Sequence, residues 1–329
     1  MLSLGIESTA HTFGVGICDE KGNLLANAKS VYSPPKGKGI IPAEAAEHHK
    51  KKAASVIASA LDEAGIRLED VDIFSFSQGP GLPPCLNVGR EIIRRIAGDK
   101  PIYGVNHCVA HIEIGLLKTN ATDPVVCYVS GGNTQIIAFV ANRYRCFGET
   151  IDIALGNALD VFAREAGLGL PGGPRVEELA KGGKFIELPY VVKGMDLSFT
   201  GIVTEAIKKL KAGYALEDLC FSLQETCFAM LVEVTERAMA HTEKEEVLLT
   251  GGVAANLRLR EMFEIMCRER SARFYVVPHE FAGDNGAMIA WVGVLLHRSG
   301  SEPLDPEKLE IKPRWRTDEV EVPWKELKF

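Results

Sequence analysis

Residues 4–17, LGIESTAHTFGVGI, and residues 127–139, CYVSGGNTQIIAF, follow one pattern. Each is an apolar strand, a turn of small polar residues, a threonine and a second apolar strand. Each also opens a meander of three strands. LSLGIES, TFGVGICD and NLLANAKSVY fill residues 1 to about 31, broken by the turn signals STAH and DEKGN. PVVCYVS, TQIIAFV and RYRCFGET repeat the arrangement, with SGGN at the first turn. A hairpin that recurs at the head of each half implies two related α/β domains. A chain of 329 residues can fill both cores.

Downstream of the first meander, SPPKGKGIIP reads as a loop and Ala43 to about Ala64 as a helix. VDIFSFSQ is a buried strand, PGLPP a breaker, NVGREIIRRIAG a helix, and PIYGVN a strand running into NHCVAHIEIGLL (106–117). The second meander leads into helices at GNALDVFAREAG, GPRVEELAKGG, SFTGIVTEAIKKLK and DLCFSLQETCFAMLVEVTERAMAH. A strand (EEVLLT), a helix (VAANLRLREMFEIMCRER), a strand (RFYVVP) and a helix (DNGAMIAWVGVLLHRS) follow. The domains are expected at 1–120 and 121–296, with the boundary near KTNATDP (118–124). The tail from about 297 to 329 is expected to pack back on the first domain.

Hydrophobic residues make up 46% and charged residues 25%, a soluble globular profile, and no run approaches the length a membrane helix needs. The start MLSLGIESTA reads as a strand rather than a signal peptide, so the cytoplasm and no membrane partner are expected. The eight cysteines are scattered without a CxxC pair, the usage of buried, reduced thiols. A net charge of −7 argues against a free-standing nucleic-acid binder, yet leaves room for an RNA met by local basic patches or brought by partners. Lys50–Lys52, Arg94 with Arg95, and Lys208, Lys209 and Lys211 are such patches, each also readable as a solvated helix face.

Chemistry enters at the turns. A tight turn of small residues presents backbone N–H groups that can cradle phosphate, and two matching turns would face one another across a nucleotide cleft. LLTGGVAANLRLR runs a strand into Thr-Gly-Gly and a helix, aiming the helix N-terminus at the same place, with Asn256 within reach of a ligand. His107 and His111 stand four apart, on one helical face, where they fit either a metal or an ordinary buried pair. Asp284 heads the last helix of the second domain, where a carboxylate is an N-cap in the plain reading. With the two histidines it would complete a His₂-carboxylate metal site bridging the domains, with positions open to substrate. Asp160 and Glu177 are candidate ribose carboxylates. The sequence is HCVAH, not HExxH: Cys108 stands where a zinc peptidase carries its base. A P-loop, a GxGxxG after the first strand and a GxSxG elbow are all missing from the sequence.

GIESTAHTFGVGI, EAAEHH, FSQGPGL, GVNHCVAHIEIG, YVSGGNTQ, FGETIDIALGNALDVFARE, PGGPRVEELA, LPYVVKGMDLSF, GGVAANLRLRE and DNGAMIAW together resemble one family. It is the tRNA threonylcarbamoyltransferase family, to which the bacterial enzyme TsaD and the catalytic subunit of the archaeal and eukaryotic KEOPS complex belong. EAAEHH and VKGMDLSF are of the archaeal type. Departures from the usual pattern fall at Ser8, at PGLPPCLNVGRE, at FAGDNG and at SFTG, none of them at a proposed ligand.

The resemblance implies the fold of the actin, hexokinase and heat-shock-ATPase superfamily: two duplicated α/β domains with a nucleotide cleft between them. It implies transfer of threonylcarbamoyl from its adenylate to N6 of the adenosine 3′ of the anticodon in tRNAs reading ANN codons, with release of AMP. Metal ligands fall on His107, His111 and Asp284, with Tyr128 a fourth. The expected ion is divalent: Fe²⁺ first, with Zn²⁺ and Mg²⁺ as alternatives. Nucleotide contacts fall on Tyr128, Val129, Ser130, Gly131, Gly132, Asp160, Gly173, Glu177 and Asn256. Partners are tRNA and the other KEOPS subunits, including a small protein kinase. His11, in the first turn, is the candidate general base. The competing readings are an ATPase or small-molecule kinase of the same superfamily, and a non-catalytic scaffold. The His pair of HCVAH disfavours the first, and His107, His111 and Asp284 together disfavour the second.

Overall fold

The protein is described here from a computed structural model that covers residues 1–35 and 39–326. Part of the Pro/Gly/Lys loop, residues 36–38, therefore lies outside the described residues. The chain divides into two compact units, one formed by Met1–Leu117, Ala141–Tyr144 and the chain from Asp284 onward, the other by Lys118–Val140 and Arg145–Gly283.

The first unit opens with β1 (Leu2–Glu7), β2 (Thr12–Asp19) and β3 (Leu24–Val31), then α1 (Pro42–Ala64), β4 (Ile73–Gly79), α2 (Pro83–Ile96), β5 (Ile102–Asn106) and α3 (His107–Lys118). Its five strands lie in the order β3-β2-β1-β4-β5. β1 pairs antiparallel with β2, Glu7 opposite Gly14, and parallel with β4, Ser3 opposite Ile73. One core joins Leu4, Ile6, Phe13, Val15, Phe74 and Phe76 of the sheet to Val56 and Ala60 of α1 and Ile93 of α2. Helix α2 begins at Pro83, four residues earlier than PGLPP as a breaker implies. Pro83 and Pro84 occupy its first turn, where a missing N–H costs nothing and the fixed φ suits a helix.

The second unit repeats the plan. Its elements are β6 (Val125–Val129), β7 (Thr134–Val140), β8 (Arg143–Glu149), α4 (Leu155–Glu165), α5 (Gly172–Ala180), the short β9 (Val192–Lys193) and β10 (Asp196–Leu197), α6 (Thr200–Lys211), α7 (Leu216–Thr242), β11 (Glu246–Thr250), α8 (Leu257–Glu269), β12 (Arg273–Val276) and α9 (His279–Ala282). Residues 143 and 144 of β8 group with the first unit. The order β12-β11-β6-β7-β8 is that of the first sheet read from its other edge. The antiparallel meander and the two parallel strands stand in the same places. Two sheets of one topology, each packed with helices, are the actin/hexokinase/heat-shock-ATPase fold that the repeated hairpin foreshadows. Helix α8 does not start straight after Thr-Gly-Gly: a 3₁₀ turn, Gly252–Ala255, intervenes.

The last helix, α10 (Gly286–Arg298), differs from expectation in its address. It was expected in a second domain ending near 296, but it packs on β1, β2, β4 and β5 of the first unit. Ala290 and Val294 meet Ile73 and Tyr103 in a core separate from that of α1 and α2. This explains why β1, β2 and β4 are buried almost residue by residue instead of alternating. The tail after α10 runs back over the same unit: Leu304 N–H donates to Ile102 C=O and Lys312 N–H to Gln78 C=O. No helix of the described residues is long and apolar enough to cross a membrane.

Candidate metal centre

Helix α3 starts where β5 ends, and Asn106 fixes the joint. Its Oδ1 accepts the N–H groups of Cys108 (3.0 Å) and Val109 (3.1 Å), which locks the first turn. His107 and His111 then share a face, both buried, with ring centroids 4.7 Å apart and rings nearly perpendicular. Asp284 meets them from the start of α10. Its Oδ1 lies 3.5 Å from His107 Nε2 and 3.3 Å from His111 Nε2. The three ligand atoms lie within 4.8 Å of one another.

Two sequence expectations about Asp284 change. Asn285, not Asp284, caps α10, its Oδ1 accepting Met288 N–H at 3.0 Å. The carboxylate next to it is therefore released from capping to face the histidines. Nor does Asp284 reach the pair from the second unit, because all three residues belong to the first.

Glu7, which sequence reasoning missed, stands behind the site. Fully buried at the end of β1, it places Oε2 3.0 Å from His107 Nδ1. Its Oε1 accepts the N–H (2.6 Å) and hydroxyl (2.5 Å) of Thr9. The carboxylate thus holds a proton on His107 Nδ1 and turns Nε2 toward Asp284, the arrangement that orients a metal-binding imidazole. The available signal was a charged residue closing the strand LSLGIE.

The electrostatics follow. Burial opposes a charge on His107, but the charge and hydrogen bond of Glu7, joined by Asp284, outweigh it and hold the pKa at about 9. His111 moves the other way, because burial lowers its pKa and the charge of His107 adds to that against the pull of Asp284. Burial would raise Asp284, yet the hydrogen bond from His111 and the nearby histidine charges keep its carboxyl well below the usual carboxylate range. Two imidazoles and a carboxylate aimed at one point, one imidazole backed by a second carboxylate, fit a divalent ion such as Fe²⁺ or Zn²⁺.

The first hairpin turn is less open than its sequence implied. Ser8 N–H donates to Ser77 Oγ at 2.9 Å and Thr9 N–H to Glu7, so neither amide is left for phosphate. His11 sits in this turn with its carbonyl accepting Tyr32 N–H (2.8 Å). Its Nδ1 is buried without a hydrogen-bond partner among the described residues.

The second unit carries the remaining candidates. In the SGGN turn, Ser130 Oγ accepts the N–H groups of Gly132 (3.3 Å) and Asn133 (3.0 Å), while Gly131 and Gly132 are exposed. Gly156, at the start of α4, donates to Ser130 C=O at 3.1 Å, so that helix abuts the turn. Further along α4, Asp160 Oδ1 takes the N–H of Gly172 (2.6 Å), next to Gly173 at the head of α5. Glu177, on α5, accepts Leu257 N–H through Oε1 at 2.7 Å. Asn256 caps α8 through Leu259 N–H (3.0 Å) and donates to Gln224 (2.9 Å). Asp160, Gly173, Glu177 and Asn256 are thus linked through α4, α5 and α8. Tyr128 and Val129 are fully buried on β6, Tyr128 opposite Gln135 and Thr250. Gly251 has φ +95°, and a Cβ there would meet Val129 O at 2.2 Å, so the strand-to-helix connection requires glycine.

Residues 23–291 match the family described as TsaD, tRNA N6-adenosine threonylcarbamoyltransferase. The chain is 56% identical over 328 residues to the tRNA N6-adenosine threonylcarbamoyltransferase of Thermococcus kodakarensis, covering 98% of this chain and 100% of that protein. It is 57% identical over 328 residues to the Methanothermobacter thermautotrophicus protein named "Probable bifunctional tRNA threonylcarbamoyladenosine biosynthesis protein", covering 98% of this chain but 61% of that one. The chain therefore spans about three-fifths of the bifunctional relatives. Among solved structures, full-length HypF with phosphate and nucleotide bound aligns with a TM-score of 0.62 at 10% identity, covering 90% of this chain and 55% of HypF. Component A of the Acidaminococcus fermentans (R)-2-hydroxyglutaryl-CoA dehydratase aligns at 0.57 and 14%, covering 89% and 98%. At these identities the two structures speak to the fold alone.

Proposed function

Because the chain belongs to the TsaD family of tRNA N6-adenosine threonylcarbamoyltransferases, we propose that it performs that transfer itself. The threonylcarbamoyl group passes from threonylcarbamoyl-adenylate to N6 of the adenosine 3′ of the anticodon in tRNAs reading ANN codons. The N6 amine bonds to the carbamoyl carbon, the bond from that carbon to the phosphate oxygen breaks, and AMP departs. The amine loses one proton, for which His11 is our proposed acceptor.

The observation that carries this reading is the buried convergence of His107, His111 and Asp284, backed by Glu7. A divalent ion held there, Fe²⁺ in our proposal, would supply a Lewis acid for oxygens that gain charge during transfer. Glu7 keeps the His107 tautomer fixed, and burial of both histidines keeps bulk water from them. In the second unit, we assign the phosphate to the SGGN turn at the exposed Gly131, the ribose to Asp160 and to Glu177 Oε2, and the base to the surroundings of Gly173 and Asn256. Tyr128 is our proposed fourth ligand. N6 of adenine is a weak nucleophile, so positioning by these groups has to supply much of the rate. We further propose that the protein works in the cytoplasm with other KEOPS subunits, among them a small protein kinase.

The test is a modification assay with purified protein, partner subunits, tRNA transcript and threonylcarbamoyl-adenylate, read by mass spectrometry of nucleosides. His107→Ala is expected to lose at least about a hundredfold in rate. Undiminished modification by that variant would remove the ion from the mechanism, and no modification by the parent would remove the transferase reading.

A further inference from the structure

The tail forms a groove of about 530 Å³ beside the amino end of α2, walled by Pro83, Lys312, Pro313, Arg314, Trp315 and Glu319. All of it belongs to the first unit. The backbone of this stretch is pinned at three points. Lys312 N–H donates to Gln78 C=O (2.7 Å), Gly81 N–H to Pro313 C=O (3.1 Å), and Asn106 Nδ2 to Trp315 C=O (3.3 Å). Between these points the side chains of Lys312 and Arg314 face outward, and those of Pro313 and Trp315 are half-buried. Lys312 and Arg314 are exposed, and neither forms an ion pair among the described residues, whereas the neighbouring Arg316 is matched to Asp318. The Lys312 ammonium rests 4.3 Å from the centre of the Trp315 ring. Glu319 is turned back on the chain, its carboxylate accepting Arg316 N–H at 3.2 Å. In a protein of net charge −7, the groove thus joins two unmatched cations to an indole and two prolines.

An acidic peptide would use the cations and leave the indole idle. A nucleotide strand uses both, because a base stacks on an aromatic face while its phosphates take Lys and Arg. We infer that this groove binds an unpaired nucleotide of RNA, its base on the Trp315 ring and its flanking phosphates on Arg314 and Lys312. Lys312 covers the ring face until the base displaces it toward phosphate, one cation–π contact exchanged for stacking and a charge pair. Glu319 Oε2 is held by the backbone, and the carboxylate offers an acceptor to an exocyclic amine on the base edge. That the RNA is the tRNA substrate rests on the transferase reading above; that the groove takes RNA does not.

The test measures binding of the full chain to a fluorescein-labelled single-stranded RNA decamer and to tRNA transcript, by anisotropy across a range of salt. Trp315→Ala is expected to weaken decamer binding about tenfold and Trp315→Phe to retain most of it. Arg314→Gln should weaken binding and flatten the log–log salt dependence by about 0.7, the loss of one phosphate contact on a single strand. Parental metal content in each variant shows that it is folded. Unchanged affinity for both RNAs in Trp315→Ala and Arg314→Gln, with a parent that binds and modifies tRNA, overturns the groove and leaves the transferase reading standing. Competition by a glutamate decamer as effective as by unlabelled RNA also overturns it, in favour of a protein partner. Decamer binding that falls in both variants, in a parent that modifies no tRNA, supports the groove and refutes the transferase reading.

Discussion

At the scale of single residues, Glu7 decides what His107 does. With a pKa of about 9, His107 carries a proton at neutral pH before any ion arrives, paired between Glu7 and Asp284. Its folded pKa lies above the ordinary value of 6.5, so this protonated arrangement stabilises the ion-free chain below that value and fades as pH rises toward 9. A cation seated on Nε2 must displace that proton. Metal affinity should therefore rise with pH until about pH 9, by up to roughly tenfold per unit. Titration calorimetry near pH 7, in buffers of different ionisation heat, should show close to one proton released per ion bound. Glu7→Gln keeps the volume and removes the charge, so affinity should fall by about 10- to 100-fold and proton release should shrink with it. An unchanged affinity would show that Glu7 only fills space.

At the scale of elements, the site depends on how closely α10 lies on the first sheet. A Cβ on Gly16 would stand 2.1 Å from Ala287 N, so the helix rests backbone to backbone on β2. Gly16→Ala should cost about 1–3 kcal/mol or more by overpacking, and should lower metal content in parallel, since the displaced helix leads with Asp284. Asn285→Ala, which removes the cap on Met288 N–H, should cost at least about 1 kcal/mol, measured as a lower midpoint in thermal unfolding. Loss of stability without loss of metal in Gly16→Ala would separate the seat from the site. These elements also mark where sequence stops being informative. The hairpins were legible because LGIES and TFGVGI carry a period of two and a turn signal, all within about fifteen residues. The histidine pair was legible from spacing on one helix. The address of α10 was not: GAMIAWVGVLL is apolar on nearly every face, and its partners on β1 lie more than 280 residues away in the chain. Glu7 was hidden for the same reason, since its role depends on His107, 100 residues on. PGLPP misled because two prolines stop a helix and also start one.

At the scale of the whole molecule, the first unit is assembled from both ends of the chain, so its stability answers to groups far apart in sequence. One such link is His49 of α1, buried, with Nε2 3.0 Å from Ala10 C=O in the first turn. Burial draws its pKa down to about 4, His48 and His11 adding to this against the hydrogen bond to Ala10. A folded pKa below 6.5 means the unfolded chain binds the extra proton, so the stability is complete above pH 6.5 and is lost between there and 4. The loss should approach about 3 kcal/mol, seen as a falling urea midpoint, and His49→Gln should flatten that part of the profile. The other link is Trp324. It is buried, and its Nε1–H donates to Glu113 Oε1 at 2.9 Å, on the same helix that carries His107 and His111. Tyr144 donates to the same oxygen at 2.6 Å and Lys325 lies 3.4 Å from it. Trp324→Phe keeps most of the packing but removes one donor from a buried carboxylate, a cost of about 1–3 kcal/mol. Trp324→Ala adds a cavity and should cost about 3–5 kcal/mol. If the tail holds α3 in register, both variants should also bind metal more weakly, in the same order as their loss of stability. Full metal affinity in Trp324→Ala, measured well below its unfolding temperature, would mean that Asn106 and Glu7 hold the histidines without help from the tail.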